Sequence, residues 1–199
     1  MSSIKLTADS GGGTFEIKAP SSSGNTRVLT LPDTGNLTLH GGRILQVVTA
    51  VKTDTFTTSA SISSPAAVTG LSCSITPAAT TSKILIMANV GQSSATNGDY
   101  AARFHLYKAG SEISGAKGDA RGSRTRMAFA ARHSNSGRYS SQSMTYIDTA
   151  GGTSAITYQL YMSVEPSGGN ACLNISGNDS DQEAFSTTIS TFTVMEIAA

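Results

Sequence analysis

The first 39 residues contain short alternating apolar segments, each ended by turn-forming residues. The alternating pairs are Ile4 and Leu6, Phe15 and Ile17, Leu29 and Leu31, and Leu37 and Leu39. A period of two puts one apolar face on a β-strand, and the Gly-, Ser- and Pro-containing stretches between the pairs favour turns. Strands of about four to six residues are too short to bury such a face alone. This region is therefore predicted to become ordered against copies of itself or a docking surface, which is typical of an assembly protein.

Small, uncharged side chains dominate the composition. Ser and Thr make up more than a quarter of the 199 residues, whereas charged residues make up only 14%, against about 25% in an ordinary soluble domain. Such a chain can form closely packed β surfaces but has a thin hydrophobic core. Because oligomerisation commonly compensates for a thin core, the composition predicts self-association.

The charge balance and the apolar runs argue against two kinds of partner. The formal net charge of +1 gives no general attraction to nucleic acid or anionic lipid. No apolar run approaches the roughly 18 residues needed to span a membrane. The start of the sequence, Met1–Lys5, lacks the pattern of a secretory signal, which indicates synthesis in a cytoplasm. Cys73 and Cys172 match no metal-binding spacing, and we interpret both as buried free side chains rather than as a disulfide.

A boundary between two regions is predicted at His40-Gly41-Gly42, because the strand-like segments become longer after it. Residues 1–42 are interpreted as a short extended β-strand attachment segment and residues 43–199 as a head domain. With turn signals between about eight to ten strands and no helical periodicity, the fold class is all-β, and the head is an antiparallel β-sandwich like a jelly roll. Its predicted strands are 43–51, 54–58, 68–76, 82–90, 100–108, 126–133, 139–147, 154–164, 171–175 and 189–197. The first two are predicted to pair, and 82–90 to be buried on both faces.

No catalytic or metal-binding motif emerges from the sequence. The Gly11–Thr14 stretch lacks the Lys and helix of a phosphate-binding loop, and no Gly-x-Ser-x-Gly elbow is present. The three histidines, His40, His105 and His133, are scattered and are interpreted as structural. The acidic run 178–183 has oxygen ligands that suit Ca²⁺ but not the EF-hand spacing, which favours a solvated loop. The sequence therefore predicts no enzyme, no metal and no cofactor.

One dense basic stretch, 117–126, interrupts a chain with few charges. It contains Lys117, Arg121, Arg124 and Arg126, offset only by Asp119. No aromatic residues alternate with these cations, as stacking on nucleic acid bases would require. One interpretation is an exposed loop at the tip of the sandwich. The other is a contact surface for an acidic partner, either a neighbouring subunit or an anionic cell-surface polymer.

Several motifs resemble the fibre and appendage proteins of tailed bacteriophages, especially marine and cyanobacterial phages. In the first region the resemblance lies in Ser10–Pro20 and in Leu29–Gly35, which look like a module that recurs in such proteins. In the second region Ile44–Val48, Gly70–Pro77 and Ser82–Ile86 look like the start of the globular domain that often follows, and Phe192–Ile197 looks like its last strand. The middle of the head, about 99–148, carries the least of this similarity.

The resemblance implies a structural part of the virion, typically a homotrimer with its N-terminus toward the particle and its globular end outward. It brings no catalytic residues. On this reading Ile4, Leu6, Phe15, Ile17, Leu29 and Leu31 are candidates for particle attachment, with other tail or capsid proteins as partners. Loops 109–126 and 134–138 would face a host-surface glycan or protein, or a neighbour, and Lys117, Arg121, Arg124 and Arg126 are the candidate contact residues.

Two alternative functions remain open at this point. A capsid decoration (cement) protein uses a similar β domain to clamp capsomers, so the same sequence features suit the shell of the particle as well as its tail. A tailspike-type carbohydrate-active enzyme needs a pair of carboxylates in a groove. Its candidate acids, Glu112, Asp119, Asp148 and Glu165, are isolated in the sequence.

Overall fold

The computed structural model describes residues 3–7, 14–18 and 43–199. The packing of Cα atoms divides the chain into two compact units, residues 1–39 and residues 40–199. Within the described part, no helix is long and apolar enough to cross a membrane.

The first unit contains a two-stranded antiparallel sheet. Strand β1, Ser3–Thr7, pairs with β2, Thr14–Lys18. The register aligns Ile4 with Ile17 and Leu6 with Phe15, so the four apolar positions of the alternating pattern are cross-strand partners. Leu29 and Leu31 lie outside the described residues.

The regular secondary structure of the second unit consists almost entirely of antiparallel strands. They are β3 Ile44–Lys52, β4 Phe56–Thr58, β5 Ala66–Ile75, β6 Lys83–Ala95, β7 Ala101–Lys108, β8 Ser111–Glu112, β9 Phe129–Arg132, β10 Ser140–Thr149, β11 Ile156–Val164, β12 Ala171–Leu173 and β13 Ser190–Ile197. Residues 43–199 contain one short 3-10 turn, Ser114–Ala116, and no α-helix. The all-β prediction is therefore confirmed for the described residues.

The strands form two sheets with jelly-roll connectivity. In the first sheet the order is β10-β6-β13-β3, and β12 and β4 extend it beside the second half of β6. In the second sheet the order is β5-β11-β7, and β7 then pairs with both β9 and β8. Eight strands form the two main sheets, and they are, in chain order, β3, β5, β6, β7, β9, β10, β11 and β13. When these are numbered 1 to 8, the order of strands is 1-8-3-6 in the first sheet and 2-7-4-5 in the second. This alternation between sheets is that of a double Greek key, so the predicted jelly-roll sandwich is confirmed.

The hydrophobic core lies between the two sheets and follows the period of two. The first sheet supplies Ile84 and Ile86 from β6 and Phe192 and Val194 from β13. The second sheet faces them with side chains from β5, β7 and β11, chiefly Leu71, Cys73, Ile75, Phe104, Leu106, Tyr158, Leu160 and Met162. The two free cysteines are buried, as predicted, and burial raises the pKa of the Cys172 thiol to about 11, so it stays protonated and unreactive near neutral pH.

The predicted pairing of the first two strands is wrong. Strand β3 pairs with the last strand, β13, and β4 pairs with β12. The buried side chain of Asn174 explains this arrangement, since its Nδ2 donates to the carbonyl oxygens of Lys52, at 3.1 Å, and Asp54, at 2.9 Å. These bonds fasten the 53–55 connection to the loop after β12, so the chain continues into β4 beside β12 and does not turn back on β3.

Strand β6 is also less buried than its sequence predicts. Ile84, Ile86 and Ala88 face the core, whereas Leu85 and Met87 are only partly covered on the opposite face. The continuous apolar run therefore comes from a strand with one face in the core and the other on the outer surface of the first sheet.

A buried carboxylate closes one end of the core. Glu196 is fully buried, and its Oε2 accepts a hydrogen bond from Gln46 Nε2 at 2.6 Å while its Oε1 accepts one from the Ala78 amide at 2.7 Å. Burial alone would raise the pKa of this carboxyl, but the hydrogen bonds lower it below its ordinary value. Glu196 thus remains ionised and ties β13 both to β3 and to the connection between β5 and β6.

Candidate functional site

The outer face of the second sheet carries several buried polar side chains. Arg103 and His105 alternate with core residues on β7, and Ser163 lies on the neighbouring strand β11. All three side chains are almost completely buried. Burying a polar group costs free energy unless the group is hydrogen-bonded. The hydrogen-bond partners of these three side chains therefore indicate whether their role is structural or chemical.

His105 is held by a hydrogen bond at each ring nitrogen. Its Nδ1 lies 2.8 Å from Glu112 Oε1 on β8, and its Nε2 lies 2.8 Å from Ser163 Oγ. Burial lowers the pKa of His105, only partly opposed by Glu112. The imidazole is therefore neutral near pH 7. Its Nδ1–H donates a hydrogen bond to Glu112, and its Nε2 accepts a hydrogen bond from the Ser163 hydroxyl.

The order Ser163–His105–Glu112 is the hydrogen-bond order of a nucleophile, a base and an orienting acid. This group differs from a working triad in its access to substrate, because Ser163 is 0% exposed and His105 is 1% exposed. An acyl group must approach the hydroxyl oxygen closely for attack, and this hydroxyl has no exposed surface. The arrangement therefore works as a buried brace between β7, β8 and β11.

Lys117 joins this network from the start of the basic stretch. Its Nζ donates to Glu112 Oε2 at 2.7 Å. Burial tends to raise the pKa of the Glu112 carboxyl, but the hydrogen bonds from Lys117 and His105 and the charge of Lys117 lower it overall. The structure thus places Lys117 in an ion pair at the base of the loop, apart from the three arginines.

The three arginines lie in an exposed loop whose two ends are hydrogen-bonded to each other. Arg126 Nε donates to the Gly118 carbonyl at 2.6 Å, and the Gly118 amide donates to the Met127 carbonyl at 3.4 Å. At the tip, a turn is closed by the Arg124 amide donating to the Arg121 carbonyl, with Gly122 in the left-handed region at a φ of +60°. The ion pairs of the described residues include none with Arg121, Arg124 or Arg126.

A second ionic group lies farther along the same sheet. Glu165 is 3.5 Å from Arg103 and 3.4 Å from Arg132, and it accepts a hydrogen bond from the Ala101 amide at 3.0 Å. The rings of Tyr107 and Tyr161, which are the strand partners of Glu112 and His105, stack with their centroids 3.8 Å apart. The outer face of the second sheet thus carries two arginines ion-paired with Glu165 and a pair of stacked tyrosines, and the basic loop begins at Lys117, which is ion-paired with Glu112 on the same face.

The remaining candidates from the sequence are not gathered into a site. The acidic run lies in a loop beside a depression of about 340 Å³ lined by Asp179, Asp181 and Phe185 among others. Among the described residues no three His, Cys, Asp or Glu side chains are grouped closely enough to hold a metal ion. Ile4, Leu6, Phe15 and Ile17 are paired in the β1–β2 sheet.

Sequence reasoning missed the network around His105. The alternation in β7 puts Arg103, His105 and Tyr107 on the face opposite Phe104 and Leu106, which is a detectable sign of polar residues sharing one sheet face. The partners Glu112 and Ser163 come from other strands, however, and only the folded sheet brings them to His105.

Comparisons with known proteins show a distant likeness to solved structures. No protein-family model matches the sequence, and no curated protein matches it. Among solved structures, the chain is similar to the crystal structure of an infectious bursal disease virus VP2 subviral particle, with a TM-score of 0.41 and 13% sequence identity over 93% of this chain. The chain spans 50% of the length of that viral protein. The likeness is too distant to say anything about function.

Proposed function

We propose that this chain is a structural protein of a virus particle, a homotrimeric fibre or spike of a tailed bacteriophage. Residues 1–42 attach it to the particle, and residues 43–199 form a head that contacts the host surface or a neighbouring protein. The observation that carries the proposal is that a jelly-roll domain is preceded in the chain by a separate short β unit. Jelly rolls recur in viral capsid and lectin domains, and the sequence motifs resemble phage appendage proteins.

The state of the carboxylates supports a non-enzymatic role. A glycosidase needs two carboxyl groups across the scissile bond. Here three of the four candidate acids are ion-paired, and Asp119 is the exception: Glu112 pairs with Lys117, Asp148 with Lys108 at 2.7 Å, and Glu165 with Arg103 and Arg132. The buried Ser163 hydroxyl likewise argues against acyl transfer, since no substrate reaches it.

The capsid decoration protein is the second candidate, favoured by the jelly roll itself, which suits a shell position equally well. Location separates the two functions. Gold-labelled antibody against residues 43–199 should mark the tail of purified particles if the chain is a fibre, and the shell if it is a decoration protein. Absence of the chain from purified particles would refute both.

Removing residues 1–42 should leave a folded head that no longer joins the particle. The expectation follows from the second unit, in which the described residues 43–199 form both complete sheets and their core. Circular dichroism of the truncated protein tests folding, and its recovery from particles assembled in its presence tests attachment. An unfolded truncation would show that the sandwich depends on the first unit, and incorporation of the truncation would move the attachment site to the head.

Replacing Arg121 and Arg124 by Ser should weaken adsorption to host cells several-fold at low salt while leaving assembly intact. Both arginines are exposed at the tip of the basic loop, and exposed charges attract an acidic partner with a strength that falls as salt rises. Replacing the same two arginines by Lys is the matched control, because it keeps both positive charges at the tip of the loop. Equal adsorption of the variant and the native protein in low salt would identify 117–126 as a solvated loop.

A further inference from the structure

The basic loop, residues 117–126, contains the longest run of exposed residues in the described part of the chain. All nine residues from Gly118 to Arg126 are exposed, whereas no other such run within 43–199 exceeds four. The run belongs to no strand, since it lies in the connection between β8 and β9. Long exposed loops of small and polar residues are the places where proteases cut folded proteins.

The tip of this loop is weakly held. The Arg124 amide lies 3.3 Å from the Arg121 carbonyl oxygen, and Arg124 Nη1 lies 3.4 Å from the same atom. Both contacts are long and both lie within the loop, so opening this turn breaks no contact with either sheet. Cleavage of a folded protein requires local opening of the segment that is cut, and residues 121–124 can open without disturbing the rest of the head.

The loop between β9 and β10 shows why exposure alone is not sufficient. It carries another exposed arginine, Arg138, but hydrogen bonds join this loop to two others. The Asp99 amide donates to the His133 carbonyl at 2.6 Å, and the Asn178 amide donates to the Ser136 carbonyl at 3.0 Å. Opening the chain around Arg138 would break these contacts, so we expect this loop to resist cleavage.

We propose that the basic loop is a processing site for a serine protease of trypsin-like specificity. Such a protease has a carboxylate in its specificity pocket and cuts after a cationic residue. The bonds it cuts are those that follow Arg121 and Arg124. Water adds across the peptide bond, which leaves a carboxylate on the arginine and a free amine on Gly122 or Thr125.

The cut converts the head into two chains that stay together. Strands β3 to β8 precede the loop, and β9 to β13 follow it. Each later strand pairs with an earlier one: β9 with β7, β10 with β6, β11 with β5 and β7, β12 with β4 and β6, and β13 with β3 and β6. Within the two sheets of residues 43–199, the β7–β8 pair is the only one that lies on one side of the cut. Nearly all sheet hydrogen bonds therefore join the two halves.

The hydrophobic core is divided between the halves in the same way. Phe104 comes from the first half, whereas Tyr158 and Phe192 come from the second, and all three are fully buried in one cluster. The two ends of the loop also remain bonded across the cut, through the Gly118 amide and the Met127 carbonyl. The cut head therefore keeps its fold, while neither half can cover its apolar side chains alone.

Limited digestion of the full-length protein with trypsin, followed by mass spectrometry, tests the site. We expect the first C-terminal fragments to be 122–199 and 125–199. Under native conditions these fragments should elute from a sizing column together with the rest of the protein, and the circular dichroism spectrum should not change. The fragment 122–199, purified in urea and returned to buffer, should show no sheet signal.

A double variant, Arg121→Ser with Arg124→Ser, tests the assignment to these two arginines. The other cations of the loop remain, but Lys117 is ion-paired with Glu112 and Arg126 Nε is bonded to the Gly118 carbonyl. Because those contacts must open first, cleavage of the loop should slow roughly tenfold or more. Arg138→Ser is the matched control, and its loop 117–126 should be cut at the native rate.

Each part of the proposal has a result that would overturn it. If the first C-terminal fragment begins after residue 132 or 138, the processing site is not in the basic loop. Cleavage of the loop at the native rate in the double variant would overturn the assignment to Arg121 and Arg124. Separation of the halves without urea, or a folded fragment 122–199, would overturn the two-chain head.

Discussion

Replacing Phe192 by Ala is expected to cost about 3–5 kcal/mol of folding free energy, as for large aromatic truncations in cores. Phe192 lies on β13, between β3 and β6 in the first sheet, and its side chain is fully buried between the sheets. Removing the ring leaves a cavity that rigid strands on both sides do not fill. Since whole domains are stable by only about 5–15 kcal/mol, a large part of the stability should be lost.

Urea unfolding followed by circular dichroism measures this effect. Phe185→Ala is the matched control, because Phe185 is only partly buried in the loop after the acidic run. The control should cost less than half as much. Equal losses for Phe185→Ala and Phe192→Ala would mean that the space between the sheets is not the main source of stability.

Asn174→Ala is expected to destabilise the head by about 3 kcal/mol or more, since each buried polar group left unpaired costs about 1–3 kcal/mol. The Asn174 amide donates to the Lys52 and Asp54 carbonyls, and its Oδ1 accepts a hydrogen bond from Ser190 Oγ at 2.7 Å. Substitution by Ala leaves these three buried or partly buried groups without their partner. Because this side chain fastens the connection between β3 and β4, the loss should be felt across the first sheet.

The backbone of Asn174 offers a way to separate two contributions. Its φ is +64°, a left-handed conformation that Asn tolerates and that costs Ala roughly 1 kcal/mol. Asn174→Gly removes the same hydrogen bonds without that backbone penalty. The Gly variant should therefore be the more stable of the two, and both should lie well below the native protein. A Gly variant with native stability would show that the hydrogen bonds of the amide contribute little.

The positions of the strands could be predicted because the local pattern is strong. Alternation through Ile156, Tyr158 and Leu160 locates β11 within two residues of its observed start, and Pro77 marks the end of β5 within two residues. Side-chain period and turn chemistry are properties of neighbouring residues, so they survive in a single sequence. The jelly-roll class followed from the number and spacing of such segments.

Which surface each strand contacts depended on residues far apart in the chain. Strand β3 pairs with β13 and not with the nearby β4, because Asn174 fastens residues 52 and 54 to a loop more than a hundred positions away. The same limit applies to the polar network, in which His105 meets Ser163 only after β7 and β11 have paired. Period two shows that a strand has two faces, but it does not say which one faces the core or what covers the other.

The sequence by itself therefore determined an all-β chain, its turns, its buried cysteines and its basic loop, since each depends on local pattern or residue type. Only the tertiary structure decided that Lys117 is ion-paired with Glu112 while Arg121 and Arg124 stay exposed. It alone also showed that the apolar run of β6 contributes Leu85 and Met87 to an outer face. The physical reason is the same in both cases: the neighbours that pair a charge or leave an apolar side chain uncovered come from distant strands, and their arrangement is fixed by the order of strands in the sheets.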